Sequence, residues 1–212
     1  MKKPFALAVN CFHIDRLRPF LDNLREVFKS ETPCDLYFIH NKFEVEAVKN
    51  RYTRSQEEVD QVSELLDSFD MNHTVIDRDN IGEDVGASHH FYTLHKQNYD
   101  YMFFMNELTK IHRKGWIDDF YKYYEANPDA VAATTQVCRG IRYPYCMPTT
   151  YWSIRTSFDL KWEAPRNRPD AGIQEMELVW PQANSQGKFI AQVGDGSWLS
   201  YKNGTTFSEG LY

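Results

Sequence analysis

The hydrophobic residues of the chain follow two patterns in turn, short continuous apolar runs and longer stretches with helical spacing. Apolar runs occupy residues 5–9, 36–39, 72–76 and 99–105. Between these runs, apolar residues recur every three or four positions, as at Leu17, Leu21 and Leu24. Runs without alternation are typical of strands that are buried on both faces of an α/β sheet, and helices between successive strands favour parallel pairing.

The second half of the chain has a less regular pattern. Apolar runs at residues 131–137, 151–155 and 188–193 predict further strands, and residues 116–124 and 175–183 have helical spacing. The segments 139–148 and 162–172 are rich in turn-forming residues and are predicted to be loops. We therefore predict one α/β domain over residues 1–212, with a central mixed, mostly parallel sheet flanked by helices.

Polar residues collect where the strands of the central stretch, residues 72–107, are predicted to end. Asp77 and Asp79 follow one strand, Asp84 opens the next helix, and Asn106 and Glu107 follow the next strand. Ligands of such sheets bind beyond the carboxyl ends of the strands, so we expect all five side chains to face one crevice. Carboxylates gathered there favour a divalent cation that carries a phosphate.

Each of these residues also has a purely structural interpretation. Asp77 and Asp79 would then be part of a solvated turn, Asp84 would cap the helix, and Glu107 would be a surface acid. Gly82 and Gly86 allow either the close approach of a phosphate to the backbone or simply a tight turn. The sequence alone leaves both interpretations open.

Composition narrows the class of protein. The formal net charge of −6 argues against a general nucleic-acid binder. Four scattered cysteines without a CxxC pair indicate reduced thiols. The apolar run at the N-terminus predicts a first strand rather than a signal peptide, and no run approaches the length of a membrane span. We therefore expect a cytoplasmic protein.

Short motifs along the chain occur in an order that matches a known family. They are Asn80-Ile81-Gly82 before a helix, Asn106-Glu107 after a strand, Gly115-Trp116, Asn127-Pro128-Asp129, Tyr151-Trp152-Ser153-Ile154-Arg155 and Gln174-Glu175-Met176-Glu177-Leu178-Val179-Trp180. In this order and spacing the chain resembles the GT-A-fold glycosyltransferases, in particular those like family 2. More narrowly, it is similar to the N-terminal glycosyltransferase domain of a large chlorella-virus protein that builds a capsid glycan. This narrower resemblance implies that the expected cytoplasm is that of the host.

The resemblance implies a metal-dependent glycosyltransferase with Mn²⁺ or Mg²⁺ as cofactor. It implies a UDP-sugar donor, with rhamnose as the sugar, and a glycan or glycoprotein acceptor. Residues 1–107 would bind the nucleotide and residues 108–212 the acceptor, and further domains of a longer polypeptide are among the expected partners. Glu175 takes the position of the catalytic base, since it precedes Glu177-Leu178 as the second acid of the family motif does.

Donor contacts are also implied by position in the family pattern. These residues are Asn10, His13, His40, Asn80 and Gly82. Two further candidates come from their chemistry: Asp84 for contact with the ribose or base, and Arg155 for contact with the diphosphate. The metal ligands stay open at this point. The family's Asp-x-Asp motif normally closes the strand before Asn106, whereas here the literal Asp-x-Asp is Asp77-Arg78-Asp79, one strand earlier. Asp77, Asp79 and Glu107 are therefore all candidate metal ligands.

Two other classes of protein fit parts of the sequence. A metal phosphatase would use Asp77 of the Asp-x-Asp motif as a nucleophile, but that motif normally closes the first strand of its fold. A non-catalytic module that binds a sugar or nucleotide would need only the binding residues. Metal-dependent binding of a UDP-sugar would indicate the transferase, and phosphate release from simple esters would indicate the phosphatase. Binding that ignores the metal, with no UDP release, would indicate the module.

Overall fold

A computed structural model describes residues 3–28, 34–44, 54–135, 151–166, 171, 178–194 and 198–201. Its strands are β1 (Lys3–Cys11), β2 (Asp35–Glu44), β3 (Thr74–Asn80), β4 (Tyr99–Asn106), β5 (Thr109–Ile111), β6 (Ala130–Thr134), β7 (Tyr151–Arg155), β8 (Phe189–Gln192) and β9 (Leu199–Tyr201). The helices used below are α1 (Ile14–Phe28), α2 (Gln56–Asp67), α3 (Glu83–His95), α4 (Trp116–Ala126) and α5 (Val179–Ser185).

Seven strands form one sheet in the order β3-β2-β1-β4-β7-β6-β8. β1 pairs in parallel with both β2 and β4, and β2 pairs in parallel with β3. β7 runs antiparallel to β4 and β6, while β6 and β8 are parallel. This arrangement confirms the predicted single α/β domain with a mixed, mostly parallel sheet.

The sheet buries apolar side chains on both faces. Phe5, Leu7 and Val9 of β1 pack with α1, α2 and α4 on one face, which we call the α1 face. Ala6 and Ala8 pack with α3 and α5 on the other, which we call the α3 face. Because successive strand residues point to opposite faces, both parities of β1 are apolar, as its continuous run predicts.

Helix α1 confirms its predicted stripe, since Leu17, Leu21 and Leu24 are buried. Pro19, however, lies beyond the first turn, on the exposed side of the helix. Its missing N–H leaves the carbonyl of Asp15 without the usual helical partner, and exposure lets water take that place.

The apolar spacing of the sequence predicts that α3 buries Ala87, Phe91 and Leu94, and the structure differs. Ala87 and Phe91 are buried, but Leu94 is 54% exposed and Tyr92 is buried instead. The ring of Tyr92 lies 5.5 Å from that of Trp162. A segment from the second half of the chain thus covers this side of α3, which the helical period could not indicate.

Strand boundaries also differ in two places. Residues 77–80 were predicted as a turn but belong to β3, which places Asp77 and Asp79 within a strand. The three-residue strands β5 and β9, which pair antiparallel to each other, were not predicted because such short elements have little periodicity. Among the described residues, no helix has the length and apolar character needed to cross a membrane.

Candidate functional site

The candidate site lies where the strand order reverses, at the carboxyl ends of β1 and β4. Asn10 and Asn106 are neighbours in the register of these two strands. Both have the parity of the α3 face, because Ala8 and Phe104, two residues earlier, pack there. In open α/β sheets this reversal point is where a crevice for ligands forms.

The start of α3 brings a carboxylate to these two asparagines. Gly82 is the N-cap residue with φ of 74°, and the chain then enters the first helical turn. Asn106 Nδ2 donates to Asp84 Oδ2 at 2.7 Å, and Asn10 Nδ2 donates to the Asp84 carbonyl oxygen at 3.2 Å. Asp84 is therefore held by its side chain and its backbone, and it does not act as the N-cap that the structural interpretation proposed.

Glu107, the first residue after β4, completes the site beside the end of β1. Its side chain is only 7% exposed, and its Oε1 accepts a hydrogen bond from the His13 backbone N–H at 3.1 Å. The Glu107 N–H in turn donates to the Asn10 carbonyl at 3.3 Å. Burial, and secondarily the negative charge of Asp84, raises the pKa of Glu107 to about 8.

The oxygen atoms of this site suit a hard divalent cation. Asp84 and Glu107 are close enough to disfavour each other's negative charge. Asn10 Oδ1 is buried and has no hydrogen-bond partner in the described part of the chain. The described residues contain no cluster of three His, Cys, Asp or Glu side chains that would form a metal site alone. Mg²⁺ and Mn²⁺ sites that use one or two carboxylates are commonly completed by substrate phosphates, so the residues present fit such a cation.

The literal Asp-x-Asp pair does not lie in this site. Asp77 pairs with His40 in the sheet register, and His40 with Cys11, whose side chain belongs to the α1 face. Asp77 and Asp79 thus have the parity of the α1 face, opposite to Asn10. They also stand three strands away from β4, roughly 14 Å at the usual strand spacing. The expectation that all five polar residues face one crevice was therefore wrong for this pair.

Asp77 is engaged in contacts at the edge of the sheet. One carboxylate oxygen lies 2.7 Å from Lys42 Nζ and the other 3.3 Å from His40 Nδ1. Asp79 is exposed. Asp77 and Asp79 miss the crevice because β3 continues through them to Asn80. In a strand, residues two apart point to the same face, here the α1 face, whereas a turn would have let both carboxylates point toward the crevice.

His40, predicted to contact the donor, is fully buried within β2, an interior strand between β1 and β3. Its burial, and secondarily the positive charge of Arg54, lowers its pKa to about 4. The imidazole is thus neutral in the folded protein at neutral pH. Access of a ligand to this ring would require rearrangement of the surrounding chain.

Acid should therefore destabilise the protein through His40. The folded pKa of about 4 is below the ordinary 6.5, so the unfolded chain binds more protons between these values. Stability present above pH 6.5 is then lost as pH falls toward 4, by up to about 3 kcal/mol. We expect His40→Phe to lose less stability than the wild type between pH 7 and 4, measured by urea denaturation. An identical pH dependence of both proteins would contradict this role.

Arg54 is a site residue that the sequence did not indicate. Its guanidinium lies 4.1 Å above the centre of the Phe12 ring and donates to the carbonyls of Phe12, Asn41 and Lys42. It thereby ties together the ends of β1 and β2. The contact to Phe12 spans 42 residues of sequence, and no local pattern marks such a partner.

Arg155, predicted to contact the donor, lies at the opposite end of β4. It pairs in register with Tyr101, near the amino end of that strand. Its guanidinium donates to the carbonyl of Tyr124 at 2.7 Å and contacts the rings of Tyr101 and Tyr124. The structure thus does not bring Arg155 to Asn10 and Asn106, because β7 runs antiparallel to β4.

The remaining predicted residues fall into three groups. His13 adjoins the site through its backbone contact with Glu107. Asn80 is buried at the end of β3, with Oδ1 lacking a partner among the described residues, and Gly82 lies against Pro165. Glu175, the predicted base, lies outside the described residues.

Comparison with known proteins gives a fold but no sequence relative. No protein-family model and no curated protein matches the sequence. The galactosyltransferase LgtC, solved with donor and acceptor sugar analogues, matches with a TM-score of 0.51 at 9% identity over 95% of this chain and 87% of its own. A candidate glucose-1-phosphate thymidylyltransferase from Bacillus anthracis, solved with sucrose, matches with a TM-score of 0.51 at 11% identity over 93% and 89%.

These likenesses establish the fold class. The chain has an α/β fold of the GT-A type, similar to that of a glycosyltransferase and of a candidate nucleotidyltransferase. At such low identity the comparison carries no residue role, so the function is argued from the site itself.

Proposed function

We propose that the protein is a glycosyltransferase that moves a sugar from a nucleotide-sugar donor to a glycan acceptor with the aid of a divalent cation. The observation that carries the proposal is the joining of Asp84, Asn106 and Glu107 at the reversal point of the sheet. Two carboxylates and an unpartnered amide oxygen of Asn10 form an incomplete set of oxygen ligands that a donor diphosphate would complete.

The chain's own groups would each have a part in donor binding. Asp84 and Glu107 would hold the cation, which neutralises charge on the departing diphosphate as a Lewis acid when bound. Asn106 would keep Asp84 in place through its 2.7 Å hydrogen bond. The finer assignments, UDP as nucleotide and rhamnose as sugar, are supported only by the sequence motifs, as is Glu175 as the base that takes the acceptor proton.

The proposal is tested by titrating UDP and UDP-sugars with and without Mn²⁺, and by following UDP release in the presence of glycan acceptors. We expect UDP to bind only with Mn²⁺, and UDP release to require an acceptor. Phosphate release from simple esters would favour a phosphatase instead. Metal-independent binding without UDP release under any acceptor would indicate a binding module.

Two matched substitutions test which pair of carboxylates holds the cation, Asp84 with Glu107 or Asp77 with Asp79. We expect Asp84→Asn to weaken Mn²⁺-dependent UDP binding at least about tenfold, because one charged oxygen ligand is replaced by a neutral one. Asp79→Asn makes the same chemical change on the opposite sheet face and should leave binding within about twofold, well under the 1.4 kcal/mol of a tenfold change. Isothermal titration calorimetry at pH 8 measures both. The reverse ranking would place the cation at the Asp-x-Asp pair instead.

A further inference from the structure

A second concave surface borders the outer side of α3. It is a cleft of about 250 Å³ between α3 and the chain at Pro165, with Arg78 of β3 in its wall. His90 and Leu94 of α3 also line it. None of these residues belongs to the proposed donor site, and Arg78 stands on the edge strand, three strands from β4.

Arg78 is a positive group without a counter-ion in this cleft. Its guanidinium donates to the side-chain oxygen of Asn41 and to the carbonyl of Ile81, both neutral acceptors. Within the part of the chain that the structure describes, no carboxylate lies at ion-pair distance from it. Burial of the guanidinium, partly offset by the negative charges of Asp79 and Asp84, lowers the pKa of Arg78 to about 10. A partly buried guanidinium of this kind is stabilised when an anion accepts its remaining N–H groups.

Two histidines add hydrogen-bond donors beside Arg78. The positive charge of Arg78 contributes to lowering the pKa of both His89 and His90, after burial, so the three groups are close in space. His89 Nε2 contacts the Trp162 carbonyl at 3.2 Å, whereas no hydrogen-bond partner of His90 is found among the described residues. Asp79 and Asp84 are the acids whose charge reaches Arg78. The cleft wall therefore has one cationic group, the guanidinium of Arg78, with the imidazole of His90 beside it as a further hydrogen-bonding group.

The rest of the cleft is apolar and exposed. Ile81 is 37% exposed and Leu94 54%, and both line the cleft together with Pro165. An inorganic ion would contact only the cationic wall, whereas a ligand with an apolar substituent would also cover these side chains.

We propose that this cleft binds a small organic anion, a carboxylate or phosphate monoester with an apolar body. The anionic group contacts Arg78 and His90, and the apolar body packs against Ile81 and Leu94. None of these four residues has a part in the proposed donor site, although the charge of Asp84 at that site reaches Arg78. The proposal does not depend on the donor assignment.

Phenyl phosphate is a suitable probe, with inorganic phosphate as the ligand that lacks the apolar body. Binding to the full chain is followed by NMR of histidine ring and leucine methyl signals, with hexanoate as the carboxylate arm. We expect phenyl phosphate or hexanoate to bind more tightly than inorganic phosphate and to shift the His90 and Leu94 signals. Absence of binding by both organic anions would overturn the proposal, as would shifts confined to other residues.

Two variants test the two walls of the cleft. His90→Asp places a negative charge beside Arg78 and should weaken the binding of whichever organic anion binds, phenyl phosphate or hexanoate, at least about tenfold. His112→Asp makes the same change at an exposed position elsewhere and should leave that binding unchanged. Leu94→Ala should weaken phenyl phosphate but not inorganic phosphate. Equal affinities of wild type and His90→Asp would overturn the proposal. So would competition between phenyl phosphate and UDP with Mn²⁺, because that result would assign the probe to the donor site.

Discussion

Replacing Glu107 with glutamine is expected to stabilise the metal-free protein at high pH while abolishing Mn²⁺-dependent UDP binding. The wild-type carboxyl has a folded pKa of about 8, against an ordinary 4.5. Between these values the folded state binds more protons than the unfolded chain, so stability falls as pH rises from 4.5 to 8. The corresponding loss is on the order of 3 to 5 kcal/mol.

Glutamine keeps the shape of the protonated carboxyl. Its side-chain oxygen can still accept the His13 N–H, and its amide can donate where the charge of Asp84 lies nearby. At pH 5 we therefore expect Glu107→Gln and the wild type to have similar unfolding free energies. At pH 9 the variant should be more stable by about 3 kcal/mol, measured by urea denaturation in EDTA.

Glu107→Gln should gain stability at pH 9 and lose Mn²⁺-dependent UDP binding. A general folding defect would lower both. A variant that is more stable at pH 9 yet binds no UDP with Mn²⁺ has lost a ligand, not its fold. Glu64→Gln, on the exposed side of α2, serves as a control and should change neither property. If Glu107→Gln instead followed the wild-type pH dependence, Glu107 would not be the buried acid that the structure describes.

Opposing requirements on Glu107 explain why an acid is buried at this position. In the absence of a cation, its charge is disfavoured by burial and by Asp84. A divalent cation between these carboxylates would remove both penalties and release a proton from Glu107. The site is thus unfavourable for the charged protein alone and favourable for the bound state, an arrangement typical of functional positions.

The convergence of Asp84, Asn106 and Glu107 could be predicted from the sequence because it follows from connectivity. Parallel strands joined by helices place their carboxyl ends at one edge, and the helix after β3 begins at that edge. The order of elements therefore sufficed, without knowledge of any side-chain contact.

The orientation of Asp77 and Asp79 could not be predicted, since it depends on where β3 ends. β3 ends at Asn80, four residues beyond the predicted end, and this difference decides whether these carboxylates alternate with Arg78 across the sheet or turn toward the crevice. Strand ends are set by pairing with a neighbour, here β2, and that pairing is not encoded in the local pattern.

Long-range contacts account for the other differences. Leu94 is exposed because Trp162, from the second half of the chain, covers α3 beside Tyr92 instead. Arg54 is placed by carbonyl groups at the ends of two separate strands. Helical periodicity gives the direction of a side chain but not the element that will cover it, so a sequence pattern does not locate either contact.

Replacing Gly86 with alanine is expected to destabilise the protein by about 3 kcal/mol, although alanine is the better helix former. A Cβ at this position would stand 1.8 Å from the Ile81 carbonyl oxygen and 2.9 Å from its carbon, so the backbone at the start of α3 must move. The moved segment carries Asp84, and Mn²⁺-dependent UDP binding should weaken with it.

Gly187→Ala is the matched control, because it separates the two ways in which a glycine is required. Gly187 has φ of 67° with open space around its Cα, so alanine there meets backbone strain of about 1 kcal/mol and no clash. Gly86 is not among the residues with positive φ, and steric overlap alone acts there. Urea denaturation should rank Gly86→Ala as clearly the less stable variant. A Gly86→Ala protein as stable as the wild type would show that α3 does not start against the Ile81 carbonyl, and Asp84 would then lose its defined position beside Asn10 and Asn106.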